Sequence, residues 1–269
     1  MSEAQLFVAT TLTEIYERVL VGPLFRPFAQ QLVARVAPSR GDSVIDVACG
    51  TGIVARVARE RLGPDARIVG VDVAPAMLAV AHAVNPTIEW REGNAVSLPV
   101  TAAEQFTVLT CHQGLQFMPD KAAAVREMRR VLAPRGRVAI ATWRSLEDNP
   151  GMVELNAIAE RHVGRIVDSR HSFGDAGALE RLLVDAGFGD VSVGTIAHDV
   201  QFGDGALFAR LNAMAVIGMS DKGKTMSEGE RAELAGRIAA ESQDVIARAT
   251  TNGEFVIPLT TNVATARAS

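Results

Sequence analysis

An α/β fold, with a mostly parallel sheet and helices on both faces, is predicted by three observations. Short apolar runs alternate with helix-period segments from residue 41 to 143. A glycine-rich loop, "ACGTG" at 48–52, joins the first run directly to the helix after it. The chain has 269 residues, 48% of them hydrophobic, enough to bury one large core under such a sheet. Alternation at this spacing implies right-handed crossovers and hence parallel strands.

The elements follow in order. Residues 1–40 read as helix, with Leu12, Ile15, Val19 and Leu20 at helical spacing, then Phe28, Leu32, Val33 and Val36. "SVIDV" is a buried-strand run, "GIVARVARERL" a helix and "RIVGVDV" a second strand. "PAMLAVAHAV" opens with Pro75 at a first-turn position, where a missing N–H costs nothing. "TIEW" and "QFTVLTC" read as two further strands. "DKAAAVREMRRVLAPRG" has Asp120 as N-cap, Val125, Met128 and Leu132 facing inward, and Pro134 and Gly136 as stop signals. "RVAIATW" is a fifth strand. Beyond it the rhythm changes. A helix near Met152 to His162 interrupts an irregular stretch, and another ends at Gly187 before the strand "VSVGTIAHDVQF". Residues 204–249 are helical, with Leu207, Phe208, Leu211 and Met214 as one stripe and Leu234, Ile238 and Val245 as another. "FVIPLTTNVATARA" is the last strand.

Composition removes several function classes. A net charge of -4 gives no basic footprint for nucleic acid. The two cysteines, Cys49 and Cys111, form no Cys-x-x-Cys pair, and the histidines show no metal-ligand spacing, so no metal site is expected. No apolar run has the length of a membrane span, and the N-terminus lacks the pattern of a signal peptide. A soluble, cytoplasmic chain is expected.

The loop admits two ligands. Gly50-Thr51-Gly52-Ile53-Val54-Ala55 fits G-x-G-x-x-G/A after a strand, and Asp72 ends the second strand twenty residues beyond Gly52. Those are marks of a dinucleotide site, which makes an NAD(P)- or flavin-dependent oxidoreductase a legitimate reading. Asp46, near the end of the first strand run before the loop, favours a different ligand. A carboxylate aimed at the loop mouth repels a pyrophosphate and suits a cationic amine. S-adenosylmethionine carries an ammonium, a sulfonium and a ribose diol, and no phosphate.

"VIDVACGTG", "VGVDVAPAMLAVA", "WREGNAVSLP", "FTVLTCHQGLQFMPD" and "EMRRVLAPRGRVAIATW" resemble, in order and spacing, the successive motifs of class I S-adenosylmethionine-dependent methyltransferases. The branch they are most similar to is that of the ubiquinone/menaquinone-biosynthesis enzymes and related small-molecule methyltransferases. The motifs cover residues 43–143, and "LERLLVDAGFGDV" extends the likeness to about 191. The resemblance implies a Rossmann-like, seven-stranded sheet: five parallel strands and an antiparallel last pair, with helical lid insertions. The organisation expected is an N-terminal helical segment at 1–40, either packed on the core or forming a flap over a ligand, and a core of 41–203 and 250–269. That core contains an irregular acceptor-side segment at 144–172, and a helical lid occupies 204–249.

By that likeness Asp46, Ala48, Cys49, Gly50, Thr51 and Gly52 meet the methionine part of S-adenosylmethionine. Asp72 takes the ribose, and Val73 with Met77 brackets the adenine. Gly93, Asn94 and Ala95 stand where the family usually has G-D-A, so an amide replaces the usual carboxylate at the adenine amine. Cys111 and Gln113, ending the fourth strand, lie beside the cofactor. His112 is the candidate catalytic base, although transfer from a sulfonium is chiefly a matter of alignment and desolvation. Tyr16, Gln116, Trp143 and His171 are candidates for the acceptor pocket. The expected partner is a small-molecule methyl acceptor, with no nucleic acid or membrane, in a monomer or homodimer. A non-catalytic cofactor-binding module is the rival reading outside enzymes.

Overall fold

The computed structural model describes residues 11–268. The first ten residues of the expected flap lie outside the described residues. Two compact units divide the chain: one runs to Trp143 and takes up Phe173–Ile196 and the chain from Thr261, and the other is Arg144–Ser172 with Ala197–Thr260.

The strands are β1 (Val44–Val47), β2 (Ile68–Asp72), β3 (Glu89–Glu92), β4 (Phe106–His112), β5 (Leu132–Trp143), β6 (Phe188–Phe202), β7 (Thr250–Thr251) and β8 (Glu254–Ala268). They form one sheet of order β3-β2-β1-β4-β5-β8-β6, with β7 on β8. Neighbours from β3 through β5 are parallel, and β8 is antiparallel to β5. The count exceeds the expected seven by the two-residue β7. β1 is buried along its length, and the edge strand β3 is blunted by charge, with Arg91 paired to Glu89 and Glu104.

In the first unit, α1 (Leu12–Ile15) runs into a π-helical stretch, Tyr16–Phe25, where the Arg26 N–H reaches back to the Val21 carbonyl. Pro23 lies inside that stretch. α2 (Arg26–Val36) follows and buries Phe28, Ala29, Leu32, Val33 and Val36. α3 (Ile53–Leu62), α4 (Pro75–Val84), α5 (Lys121–Arg130) and α7 (Ala176–Asp185) complete the layers. α2 packs on α3 and β5, so the segment expected as a flap groups with the sheet. Asp120 caps α5 by accepting from the Ala123 N–H at 2.8 Å. α5 stops at Arg130, and Leu132, expected on its inner face, opens β5 instead. Pro134 and Gly136 therefore fall inside a strand, with Arg135 at φ 63° between them.

The second unit holds α6 (Pro150–Val163), α8 (Gly205–Met219), α9 (Asp221–Lys224), α10 (Glu228–Glu241) and α11 (Gln243–Arg248). Residues 144–172 group with these helices rather than with the sheet. Of the stripe expected on α8 only Phe208 is buried; the buried face is completed by Ala209, Asn212, Ala213, Val216 and Ile217, while Leu207, Leu211 and Met214 are only half-buried. Small residues let α8 approach closely, and Ala213, Val216 and Ile217 pack with Ala159, Leu234 and Ile238. Ile246, not Val245, is the buried residue of α11. A closed polar ring stands here, with Asn156, Asp168 and Asn212 buried and Arg170 half-buried at its rim. Arg170 pairs with Asp168 and donates to the Asn212 carbonyl; Asn212 donates to Asn156, and Asn156 donates to Asp168. No helix among the described residues is long and apolar enough to cross a membrane.

Candidate functional site

The sheet order reverses between β1 and β4, so a crevice opens at the carboxyl ends of those strands, where open α/β sheets bind ligands. Two non-glycine residues there hold left-handed backbone, Ala48 after β1 (φ 56°) and Gln113 after β4 (φ 54°). Strain of this kind gathers at functional sites. The loop continues through Gly50 (φ 55°) and Gly52 (φ 87°), and the Gly52 N–H bonds the Cys49 carbonyl at 2.8 Å. Asp72 straps it down: one carboxylate oxygen accepts from the Gly50 N–H at 2.8 Å, the other from the Ala74 N–H at 2.9 Å. Each oxygen keeps a further acceptor site for a hydroxyl.

Asp46 does not stand in the loop mouth. It is 1% exposed, tucked behind the loop, and accepts from the Thr110 hydroxyl at 2.8 Å. Its second oxygen is buried with no hydrogen-bond partner among the described residues. Burial pushes the carboxyl up to about 7; the Thr110 hydroxyl and the Ala55 N–H oppose that rise, and Asp72 adds to it. The outward-facing negative charge expected from the sequence is thus an inward one, because a strand-end side chain on this face points under α3.

Gly52 and Gly70 owe their lack of a side chain to a neighbour. A Cβ on either would fall inside van der Waals contact with the Trp90 indole. The indole N–H is anchored on the Asn85 carbonyl at 2.9 Å. Cys49 is buried beside Gly70, and burial holds its thiol well above the ordinary range. Thr51 is buried with its hydroxyl unpartnered among the described residues.

On the adenine side Val73 is 67% exposed, Met77 is half-buried, and the Gly93 N–H bonds the Asp72 carbonyl at 2.9 Å. The Asn94 carbonyl oxygen accepts from the Val96 N–H at 3.1 Å, so this side chain closes its own turn. Ala95 packs against the core.

Beyond β4, Cys111 is a core residue, its thiol pushed up to about 12 by burial. Gln113 donates to the Thr261 hydroxyl at 2.9 Å, which in turn donates to the Thr142 carbonyl at 2.7 Å. Gln116 donates to the Gln113 carbonyl at 3.0 Å. The Gln113 amide thereby ties the ends of β4, β5 and β8 together, and Gln116 holds Gln113 in place. His112 is buried, and burial lowers its imidazole to about 3. Its Nε2 has no hydrogen-bond partner among the described residues.

Phe25 joins three of the expected residues, its ring lying 5.1 Å from Tyr16, 6.2 Å edge-on from His112 and 6.4 Å from Trp143. Phe28 meets Trp143 edge-on at 5.0 Å. Burial, Glu17 and Asp72 together push the Tyr16 phenol upward, so it stays neutral on the Asp72 side. Glu17 pairs with Arg56 at 2.8 Å and fastens this segment to α3. Sequence reasoning missed Phe25, Trp90 and Thr110. A hydroxyl inside the apolar run of β4 was the available signal for Thr110, and the paired prolines around Phe25 for the aromatic group.

His171 lies in the second unit. Its Nδ1 is 2.7 Å from the Arg144 carbonyl. A carbonyl only accepts, so Nδ1 carries the proton and Nε2 the lone pair. Burial lowers its basicity, against the Arg144 carbonyl and Asp168.

A glycine loop, a strapped carboxylate after the second strand and a reversal of strand order define a nucleoside-binding α/β site. Residues 45–140 match the model of a family described as "Methyltransferase domain". The chain is 30% identical over 203 residues to nocamycin O-methyltransferase of Saccharothrix syringae, covering 67% of this chain and 70% of that protein. It is 36% identical over 135 residues to 2-phytyl-1,4-naphtoquinone methyltransferase of Thermosynechococcus vestitus, covering 48% of this chain and 60% of that one. The chain thus spans less than two thirds of that relative. Among solved structures the cyclase SpnF has the same fold, with a TM-score of 0.53 at 20% identity over 90% of this chain and 80% of that one. The chain belongs to the class I S-adenosylmethionine-dependent methyltransferases.

Proposed function

We propose that this protein transfers the methyl group of S-adenosylmethionine to a hydroxylated aromatic or quinone-like small molecule. The observation that carries the cofactor half is Asp72, whose two oxygens are fixed by the Gly50 and Ala74 amides at the end of β2. A carboxylate so held is preorganised for a ribose diol. Ala48, Gly50, Thr51 and Gly52 take the amino-acid part, and Val73, Met77 and the Gly93–Ala95 turn take the base. When bound, the cofactor supplies a methyl group on a sulfonium, an electrophile that needs only an aligned nucleophile.

The acceptor half rests on the aromatic group of Tyr16, Phe25 and Trp143. Ring faces of this kind attract a cation and exclude water, which favours displacement at a sulfonium. His112 shapes this wall and does not remove a proton. An imidazole lowered to about 3 is a poor base, so the acceptor is one that is nucleophilic without help or arrives ionised. The acceptor class follows the names of the relatives, a naphthoquinone and an O-methylated product. Because SpnF shares the fold under a cyclase name, transfer itself needs testing.

Calorimetric titration with S-adenosylmethionine, S-adenosylhomocysteine and NAD(P) is the first test, and tighter binding of NAD(P) would overturn the reading. Transfer of isotopically labelled methyl to a panel of phenols and hydroquinones is the second. Cofactor binding with no labelled product across that panel supports the non-catalytic rival. Protection of residues 204–249 from proteolysis on ligand binding tests the covering role expected of that segment.

A further inference from the structure

We infer that Thr110 is a positioning residue for cofactor binding: its hydroxyl fixes the Asp46 carboxyl beneath the loop and thereby sets affinity for a cationic amino-acid group. The inference rests on the methyl-donor reading above and assigns a residue that reading leaves out.

Thr110 and Asp46 are direct register partners on β4 and β1, so their side chains leave the sheet on one face. Thr110 is fully buried between Leu109 and Cys111. A hydroxyl in such surroundings is costly unless bonded, and the bond it makes is to Asp46, at 2.8 Å. The carboxyl therefore has one oxygen engaged and one without a partner. The groups that act on it are the Ala55 N–H at the start of α3, the Asp72 carboxylate from β2 and the Thr110 hydroxyl itself. The Cys49 and Cys111 thiols close to it are held neutral by burial. No cation stands among these groups, so the charged form of Asp46 lacks a counter-charge until a ligand brings one to the loop above. A hydroxyl that donates to a carboxylate stabilises its ionised form. Removing that donor raises the proton affinity of Asp46. The carboxyl is then more often neutral at pH 7, and its pull on an ammonium is lost until the pH is raised.

The test compares the wild-type chain with Thr110→Val and Thr110→Ser by calorimetry. Each is titrated with S-adenosylmethionine and with 5′-methylthioadenosine, which keeps the nucleoside and lacks the amino-acid part. Thr110→Val is expected to weaken S-adenosylmethionine about tenfold near pH 6.5, the scale of a hydrogen bond to a charged group. Near pH 8.5 the loss should shrink to about twofold, 5′-methylthioadenosine should be unaffected at both, and Thr110→Ser should bind as the wild type does. A merely structural role would weaken both ligands equally and at every pH, and that result overturns the inference, as does wild-type affinity in Thr110→Val. If Thr110→Val does not fold, Thr110→Cys, close in volume with a weaker donor, carries the same comparison. Failure of the wild-type chain to bind S-adenosylmethionine overturns the methyl-donor reading first, and this assignment with it.

Discussion

The Trp90 indole occupies the space a side chain on Gly70 would need. Gly70 has no left-handed backbone to protect, so its glycine answers to its neighbours, the Trp90 ring first and the Cys49 sulfur second. Gly70→Ala should destabilise the chain by about 1–3 kcal/mol, the usual cost of overpacking. Trp90→Leu in the same chain should recover part of it, giving a coupling of about 0.5–3 kcal/mol in thermal or urea unfolding. Independent effects would show that the two do not meet.

Asp72→Ala removes both straps of the loop and the ribose acceptor together. Affinity for S-adenosylhomocysteine should fall by about 2–3 kcal/mol, and Asp72→Asn should fall by less because its one carbonyl oxygen can still accept. Calorimetry on the two variants measures the difference.

His112 and Asp46 should give opposite slopes of stability against pH. The His112 imidazole is lowered to about 3 from 6.5, so between those values only the unfolded chain binds its proton, and stability rises with pH. Asp46 is raised to about 7 from 3.8, so in that window only the folded chain binds its proton, and stability falls with pH. The two nearly cancel between pH 3.8 and 6.5. His112→Gln should expose a fall, and Asp46→Asn a rise, of roughly 1 kcal/mol per pH unit in urea unfolding across that window. Parallel slopes in both variants would contradict the assignment.

Asn212→Leu breaks the polar ring of the second unit. It strips the Asn156 carbonyl and one Arg170 nitrogen of their partners. A loss of about 2–4 kcal/mol is expected by thermal unfolding, more than the volume change alone would cause.

The parallel half of the sheet was legible because β1, β2 and β4 are short buried runs set off by turn residues. The start of β5 was not: Pro134 and Gly136 carry the chemistry of a helix stop, and they lie in an irregularity of the ladder between Leu132 and Arg137, the two residues that pair with β4 on either side of them. The face of α8 was misread because Asn212 is buried with two polar partners from distant positions, Arg170 and Asn156, whereas the hydrophobic rule places an asparagine outside. The loop itself, from Ala48 to Gly52, was visible in its glycines. What Asp46 does was not, since its direction depends on a hydroxyl 64 positions away.

The placement of β8 has a kinetic consequence. It comes last in strand order yet stands inside the sheet, between β5 and β6. Until it inserts, β5 presents an open edge and β6 has no neighbour. Contacts this remote in sequence close slowly, so the native sheet should form late, and the unfilled slot should be the point at which a nascent or refolding chain is most open to aggregation.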